Sequence, residues 1–119
     1  MFRFETLDIW KEAAVFVDKI YIITSKFPKG EMFTLTNQLR RAAISVSANI
    51  AEGSANESVK AFRQFLNYSI RSIAEIISEL HIARNRNYIN TEQFRILYVE
   101  AEKLIRRTTG FRNSLRNTQ

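Results

Sequence analysis

His81, the only histidine of the sequence, and the pair Glu75 and Glu79 come closest, by residue type and spacing, to an acid–base or metal site. His81 has no second histidine or cysteine at the spacing of a metal ligand, so we expect a structural or surface role for it. Glu75 and Glu79 lie one helical turn apart and resemble a carboxylate pair. Arg71 precedes Glu75 by one turn, however, and this spacing favours exposed i,i+4 ion partners over a carboxylate site.

Other catalytic and ligand-binding arrangements find no support in the sequence. A single histidine cannot be combined with a nucleophile and an orienting residue into a recognisable catalytic set. Gly53-Ser54 lacks the second glycine and the Gly-Lys-Ser/Thr of a phosphate-binding loop. The absence of cysteine excludes a disulfide scaffold, a thiolate zinc site and cysteine catalysis, and it fits a cytoplasmic location,. We therefore expect a protein that is not an enzyme and that binds neither metal nor cofactor.

The sequence also carries no sign of a membrane or export segment. The N-terminal stretch MFRFETLDIWKEAAVF has acidic residues inside its apolar run, unlike a signal peptide,. No apolar run reaches the roughly 18 residues that a membrane span needs. We expect a cytoplasmic protein without a membrane partner.

Arginine-rich segments are the feature through which this chain could bind a polyanion. The net charge is +6, and residues 81–119 hold eight Lys/Arg against three Asp/Glu, whereas residues 1–80 are nearly balanced,. Guanidinium groups suit phosphate because they donate two parallel hydrogen bonds. The candidate nucleic-acid-binding residues are Arg84, Arg86, Arg95, Lys103, Arg106, Arg107, Arg112 and Arg116. Tyr88 either stacks on an unpaired base or anchors its loop.

Apolar periodicity predicts four helices, over residues 6–25, 35–52, 57–86 and 91–115. Helix 1 is predicted to bury Trp10, Ala13, Ala14, Val17, Tyr21 and Thr24. Helix 3 repeats apolar or small residues in a 4-3-4-3 rhythm that is typical of a bundle seam, namely Phe62, Leu66, Ser69, Ile73, Ile76, Leu80 and Ala83. The joints are short, so we predict a single all-α domain over residues 1–119, an antiparallel up-down-up-down four-helix bundle.

Local signals predict where these helices begin and end. Ser54 with Glu57, and Asn90 with Gln93, each have the spacing of a capping box that starts a helix. Gly53 is predicted to end helix 2 in the left-handed conformation.

Helix 2 carries two apolar faces. Leu39, Ala42, Ala43, Val46 and Ile50 form a core face, and on nearly the opposite side lie Ile44, Ala48 and Ala51. A polar strip follows between them at spacings of four, four and three, made of Arg41, Ser45, Asn49 and Glu52. One monomeric bundle cannot easily bury both apolar faces, so we expect the second face to mediate self-association, with the polar strip as an orienting network at the interface. The alternative is that the alanines are simply good helix formers on the surface.

Residues 35–53 read LTNQLRRAAISVSANIAEG, and similar marks lie at Trp10-Lys11, at the Phe27-Pro28 turn, at Phe65-Leu66 and at Asn90. In these segments the chain closely resembles the small bacterial four-helix-bundle proteins, which are also called 23S rRNA intervening-sequence proteins. Their signature is LTxQLRRAAxSxxxNIAEG. Ser47 stands where many of these proteins have a proline, so a kink in helix 2 is not expected here.

The resemblance implies an antiparallel bundle that is commonly assembled as a ring-like homopentamer and has no established enzymatic activity. Some of these proteins are encoded within bacterial 23S rRNA genes, and a distant group of basic accessory proteins of reverse transcriptases binds nucleic acid. Together with the charge, this predicts a homo-oligomer that binds RNA or DNA, with a nucleic-acid-processing protein as a further partner. The alternative is a protein–protein adaptor or structural oligomer whose arginines serve solubility or contact an acidic protein.

Overall fold

The structure, a computed structural model, describes residues 1–116, and within them it contains four α-helices and no strand. The helices are α1 (Asp8–Thr24), α2 (Leu35–Ser54), α3 (Val59–Asn85) and α4 (Thr91–Ser114). Short 3-10 turns, Arg3–Thr6 and Lys29–Glu31, precede α1 and α2. The predicted helices are all present, with ends that lie within two residues of the predicted ends. Residues 117–119 of the predicted domain lie outside the described residues.

The helices form an elongated bundle with overall dimensions of 52 × 23 × 21 Å. Each helix packs against the next one in the chain, and α1 closes the bundle against α4, the least extensive of these contacts. Short joints between consecutive helices require them to run antiparallel. The predicted all-α four-helix fold is therefore confirmed.

The core runs along the bundle axis and takes residues from all four helices. Every seam residue predicted for α3 is buried, and so is the predicted core face of α2. The predicted face of α1 is wrong in part, because Tyr21 remains 38% exposed and Trp10 and Val17 are only partly buried. The residues of α1 that are buried are Ile9, Ala13, Phe16, Ile20 and Thr24.

One of the two predicted capping boxes is present. Gln93 N donates to Asn90 Oδ1 at 2.8 Å, and Asn90 N donates to Gln93 Oε1 at 2.9 Å, which confirms the start of α4,. The Ser54–Glu57 box is wrong, because Ser54 is still part of α2 and its hydroxyl donates to the Ala51 carbonyl. The cap of α3 is Ser58, whose hydroxyl accepts from Ala61 N at 3.1 Å,.

Gly53 also differs from the sequence-based expectation. It lies inside α2, with a negative φ, instead of ending the helix in the left-handed conformation. A β-carbon at this position would come within 2.8 Å of both Phe62 Cδ1 and Phe65 Cβ. Gly53 is thus required by the close approach of α2 to the start of α3, where the chain turns between them.

Candidate nucleic-acid and oligomer interfaces

The joint between α3 and α4 presents two of the candidate arginines. Asn87, two residues after the last residue of α3, has a φ of 63°, and the bonds from Tyr88 N to Ala83 O and from Asn87 N to Arg84 O complete a Schellman motif that closes the helix,. The guanidinium of Arg84 stacks on the Phe94 ring, with 3.9 Å between the guanidinium carbon and the ring centroid,. Arg86 lies over Tyr88 at 5.8 Å. Neither arginine forms an ion pair within the described residues.

Tyr88 is the anchor that joins this joint to the one between α1 and α2. Its hydroxyl donates to Glu31 Oε2 at 2.6 Å, and its ring lies 5.3 Å from the Phe27 ring. The hydroxyls of Thr34 and Tyr88 lower the pKa of Glu31, and the hydrogen bond from Arg86 to Tyr88 raises the pKa of Arg86. Of the two expected roles of Tyr88, the contacts within the chain match loop anchoring.

Between residues 95 and 107 of α4, three of the four candidate cations are paired with carboxylates. Arg95 binds Glu92 at 2.6 Å and Arg106 binds Glu102 at 3.2 Å, both within α4 and both exposed. The bonds from Arg95 lower the pKa of Glu92. The other members of this stretch face α1. Arg107 forms a 3.0 Å ion pair with Glu12, and Lys103 lines a groove between the two helices.

Arg112 and Arg116 lie at the opposite end of the bundle from Arg84 and Arg86. Arg112 Nη1 donates to Asn67 Oδ1 at 2.8 Å, and Arg116 is exposed. Arg95 and Arg112 are separated by 17 residues of α4, or roughly 25 Å along its axis,. The eight candidates therefore do not form one compact patch. Those without an ion pair within residues 1–116 are Arg84, Arg86, Lys103, Arg112 and Arg116.

The second apolar face of α2 lies at the surface of the protomer. Ile44 is 44% exposed, Ala48 is exposed and Ala51 is half-buried. Within the polar strip, Asn49 Nδ2 donates to both the carbonyl and the hydroxyl of Ser45, at 2.9 Å each. The remaining members, Arg41 and Glu52, are exposed, and their side chains make no hydrogen bond or ion pair within the part of the chain that the structure describes.

A second polar strip on α3, which the sequence analysis missed, adjoins the strip of α2. Ser72 and Ser45 are joined by a 3.0 Å hydrogen bond between their hydroxyl oxygens. Tyr68, Ser72, Glu75 and Glu79 follow one another on α3 at steps of four, three and four, so they share one side of the helix,. We call the combined surface the α2–α3 face. It consists of Arg41, Ser45, Asn49, Glu52, Tyr68, Ser72, Glu75 and Glu79. Ile44, Ala48 and Ala51 lie further around α2, towards the side on which Arg40 donates to Thr24 of α1,.

Glu79 corrects the prediction of an exposed ion pair with Arg71. Its side chain is buried, with 5% of the residue exposed, and Oε1 has no hydrogen-bond partner among the described residues. Burial, and then the neighbouring Glu75 carboxylate, raise the pKa of Glu79 to about 8,. Arg71 instead lies over the Tyr68 ring, with 5.9 Å between the guanidinium carbon and the ring centroid. No cation neutralises Glu79 within the protomer as described.

The α1–α4 groove is the second surface that the sequence analysis missed. Two adjoining cavities, of about 310 and 230 Å³, follow the seam of these helices and share Lys19, which pairs with Glu100. Four large apolar side chains on the outer sides of the two helices are about half exposed or more, namely Val15 (54%), Ile22 (66%), Ile96 (46%) and Val99 (49%). The signal for this surface was present in α1, where apolar residues occur on nearly every side of the helix.

Ligand sites of other kinds are not evident in the described part of the chain. Residues 1–116 contain no group of three or more His, Cys, Asp or Glu side chains that could hold a metal ion. His81 is exposed, and its ring packs 4.7 Å from the Phe94 ring. Among the described helices, none combines the length and apolarity needed to cross a membrane.

Four antiparallel helices define a small helical-bundle protein. Its surface carries the α2–α3 face, the α1–α4 groove and the side formed by α3, α4 and their joint, here called the α3–α4 side, on which Arg84, Arg86, Arg112 and Arg116 lie. The sequence profile of the family described as 23S rRNA-intervening sequence protein matches residues 5–110. The chain belongs to this family, as the resemblance in residues 35–53 predicted.

A solved structure supports the fold. It is a protein of unknown function from the S23 ribosomal protein family of Bacteroides thetaiotaomicron VPI-5482, and it superposes with a TM-score of 0.80. The two sequences are 19% identical, and the match covers 89% of this chain and 99% of the other. A likeness at this identity concerns the fold alone. A comparison with curated proteins finds no match.

Proposed function

We propose that this protein is a non-enzymatic, self-associating helical bundle that binds RNA or DNA through the α3–α4 side. The observation that carries the proposal is the position of Arg84, Arg86, Arg112 and Arg116, which make no ion pair within the described residues and lie towards the two ends of this side. Unpaired guanidinium groups can bind phosphate without first giving up a carboxylate. The family's name, 23S rRNA-intervening sequence protein, is compatible with a nucleic-acid partner.

The expected mode of binding is electrostatic and independent of base sequence. No base-reading motif is present, and the cations are distributed along a helix of 24 residues, about 36 Å in length,. A nucleic acid lying along α4 would contact one pair of arginines at each end. The exposed pairs Arg95–Glu92 and Arg106–Glu102 contribute little to stability, so these arginines can also turn towards phosphate,.

The proposal is tested by removing the unpaired arginines two at a time. Arg84→Gln with Arg86→Gln, and separately Arg112→Gln with Arg116→Gln, should each weaken binding to a single-stranded RNA or DNA probe by about tenfold. The slope of log K against log salt should fall by about 1.4, that is about 0.7 for each lost phosphate contact. The matched control is Lys11→Gln with Lys26→Gln, which removes one charge from α1 and one from the turn that follows it, and should leave the slope unchanged.

Two results would contradict nucleic-acid binding. One is wild-type protein that, after nuclease treatment, has no salt-sensitive affinity for either probe. The other is a control pair that lowers the slope as much as the arginine pairs do, since the charge would then act without regard to position.

Self-association is the second part of the proposal and rests on the outer side of α2. Ile44→Asp and Ala48→Glu should each reduce the molar mass measured by light scattering while helix content, measured by circular dichroism, is retained. Ala74→Glu is the matched control, because Ala74 is an exposed alanine of α3 outside the α2–α3 face. Variants that keep the wild-type mass would refute this interface. The molar mass of the wild type also gives the number of subunits, for which the resemblance implies five.

A protein–protein adaptor is the second candidate function. It is favoured by the pairing of Arg95, Arg106 and Arg107 with the chain's own glutamates, which reduces the cationic surface available to phosphate. An adaptor should co-purify with one acidic protein at fixed stoichiometry and without material absorbing at 260 nm. Loss of that partner in the Arg84 and Arg86 double variant would place it on the same side of the bundle.

A further inference from the structure

Phe33 is the most exposed aromatic side chain of residues 1–116, with 90% of the residue accessible to solvent. It lies in the joint between α1 and α2, next to Met32, which is 46% exposed. Among the described residues, no other aromatic ring packs against it. Single exposed apolar residues are common on protein surfaces, so the meaning of Phe33 depends on its surroundings.

The backbone that carries Phe33 is held in place by hydrogen-bonded turns on both sides. Met32 N donates to Lys29 O at 3.1 Å. Thr34 N donates to Glu31 O at 3.0 Å, and the Thr34 hydroxyl donates to the Glu31 carboxylate. A ligand that contacts the Phe33 ring therefore has little backbone freedom to remove, which favours binding.

The same joint contacts the end of the bundle at which Arg84 and Arg86 lie. Phe33 follows Glu31 by two residues, at most about 7 Å along the backbone,. The Glu31 carboxylate accepts from the Tyr88 hydroxyl at 2.6 Å, and Arg86 Nε lies 3.4 Å from that hydroxyl. The exposed ring and the arginines of the α3–α4 joint are thus parts of one surface.

This surface carries an excess of positive charge. Residues 28–34 and 84–90 together hold three Lys/Arg, none of which forms an ion pair within residues 1–116, against the single carboxylate of Glu31. The carboxylate already accepts hydrogen bonds from two hydroxyls of the chain itself. Such a surface attracts an anion.

An exposed ring beside uncompensated cations suits a nucleic acid whose bases are unpaired. An unpaired base can stack on an aromatic ring while its phosphates contact guanidinium groups. A duplex keeps its bases stacked on one another and offers its phosphates to the cations alone. A membrane surface would require a broad apolar helix face or a lipid chain, and one aromatic residue with a neighbouring methionine supplies neither.

We propose that the joint surface, formed by Lys29, Phe33, Arg84 and Arg86, binds single-stranded nucleic acid with an unpaired base stacked on Phe33. This rests on the proposed function and names the form of nucleic acid that the protein selects. Every base has a face that can stack, so the selection is for unpaired bases and not for a base sequence.

The stacking contact is tested by removing the ring. Phe33→Ala should weaken binding to a short thymidine oligonucleotide by about tenfold. The slope of log K against log salt should stay at its wild-type value, because loss of the ring leaves the number of phosphate contacts unchanged. Phe33→Tyr keeps a ring and should retain most of the affinity. Phe33→Leu keeps apolar surface without a ring and should bind about as weakly as Phe33→Ala.

Met32→Ala is the matched control, because it removes exposed apolar surface from the neighbouring residue without removing a ring. It should leave the affinity close to that of the wild type. Circular dichroism of each variant checks that the helices are retained, as expected for substitutions of exposed side chains.

Probes that lack accessible bases isolate the same contact from the side of the ligand. An abasic oligonucleotide of equal length carries the same phosphates, so the wild type should bind it about tenfold more weakly than the thymidine oligonucleotide. Phe33→Ala should bind these two probes equally. A duplex should bind wild type and Phe33→Ala equally, because its bases are not available to Phe33.

A fluorescence measurement locates the stacked base. Phe33→Trp in a Trp10→Phe background places the only tryptophan of the chain at the proposed contact. Its emission should be quenched by the thymidine oligonucleotide and not by the abasic one. Trp10 of the wild type, whose ring lies 4.7 Å from the Phe4 ring, should show no quenching.

The outcomes separate this inference from the proposal on which it rests. A wild-type protein without salt-sensitive affinity for any probe overturns both. Salt-sensitive binding with equal affinity for the thymidine and abasic probes overturns stacking on Phe33 and leaves the proposed function intact. Equal losses of affinity in Met32→Ala and Phe33→Ala also overturn stacking, because a general apolar contact would then be responsible.

Two further results would assign Phe33 to another partner and overturn the inference. One is a lower molar mass of Phe33→Ala than of wild type in light scattering, which would place the ring in a contact between copies. The other is binding to phosphatidylserine vesicles that is lost in Phe33→Ala while binding to the thymidine oligonucleotide is not.

Discussion

The hydroxyl of Tyr88 donates a 2.6 Å hydrogen bond to Glu31 Oε2 and thereby ties the α3–α4 joint to the α1–α2 joint. The two residues are 57 positions apart in sequence. The contact fixes the end of the bundle at which Arg84 and Arg86 are presented. The Thr34 and Tyr88 hydroxyls, which donate to Glu31, also lower its pKa.

Tyr88→Phe should reduce the free energy of unfolding by about 1 kcal/mol, the usual contribution of one hydrogen bond, because it removes the bond to Glu31,. The bond from Arg86 to the same hydroxyl is also lost, but at 3.4 Å and exposed to solvent it contributes little,. The ring contact with Phe27 is preserved in this variant, so only the hydroxyl is tested. The measurement is urea denaturation, with Tyr68→Phe as a control because the Tyr68 hydroxyl makes no hydrogen bond within residues 1–116. If instead nucleic-acid affinity falls at unchanged stability, Tyr88 acts as a binding residue and not as an anchor.

Glu79→Gln should stabilise the protein in a pH-dependent way. The pKa of Glu79 in the folded protein, about 8, lies above its value in the unfolded chain. The folded protein therefore tolerates the protonated side chain better than the ionised one. Below about pH 4.5 the side chain is protonated in both the folded and the unfolded state, and ionisation of Glu79 costs the folded protein no stability. As the pH rises from 4.5 towards and through 8, the free energy of unfolding falls, because the unfolded chain loses this proton before the folded protein does. A glutamine cannot ionise, so the variant should unfold several degrees higher than the wild type at pH 9 and at nearly the same temperature at pH 4.5.

Thermal unfolding at these two pH values provides the measurement, in an assembly-deficient background such as Ala48→Glu, so that subunit contacts do not contribute. Glu75→Gln is the comparison, since Glu75 is exposed and should change the profile less. An equal difference between Glu79→Gln and wild type at pH 4.5 and 9 would show that ionisation of Glu79 is not responsible.

Periodicity was sufficient for the fold where a helix has one clear apolar stripe, as α3 does, and for the Asn90–Gln93 cap, whose two bonds are local. It failed on α1, where Trp10, Phe16 and Ile20 are all strongly apolar and the sequence alone cannot show which of them faces the core. The burial of Glu79 could also not be predicted from the sequence. It depends on how closely α2 and α3 approach, which is a tertiary property that no spacing within one helix reveals.

The arginine set illustrates the same limit at the candidate site. Composition located the basic segment, but it could not distinguish cations that are free from cations that are paired across helices. Arg107 forms its ion pair with Glu12, which is 95 residues earlier in the chain. Charge alone made Arg107 equivalent to Arg116, whereas their surroundings give them different roles.

Arg107→Gln should therefore affect stability more than nucleic-acid binding. Its pair with Glu12 joins α4 to α1 and is partly shielded, with 44% and 34% of the two side chains exposed. Its loss should cost up to about 1 kcal/mol, the upper range for such pairs. Arg106→Gln, which breaks an exposed pair within one helix, should cost only about 0.3–0.5 kcal/mol,. Urea denaturation and the salt slope of binding are measured on both. If the slope of log K against log salt falls more for Arg107→Gln than for Arg112→Gln, Arg107 contacts nucleic acid and the prediction is wrong.

Gly53→Ala should destabilise the protein although alanine is the better helix former. Gly53 lies in the last turn of α2, where alanine would ordinarily gain about 1 kcal/mol over glycine,. The added methyl group would lie 2.8 Å from Phe62 Cδ1 and 2.8 Å from Phe65 Cβ, and the latter atom cannot move without its backbone. Forced overlap of this kind costs about 1–3 kcal/mol, so the net effect should be a loss of stability.

Gly110→Ala is the matched control, since Gly110 is also helical and nothing lies within 4 Å of a β-carbon built there. It should raise the free energy of unfolding by about 0.5–1 kcal/mol through helix propensity and reduced freedom of the unfolded chain. Opposite signs for the two substitutions, in the same urea titration, would identify close packing of α2 on α3 as the reason for glycine at position 53. If both variants are stabilised, the two helices can separate slightly at no cost, and the residue type at position 53 is not set by packing within the protomer.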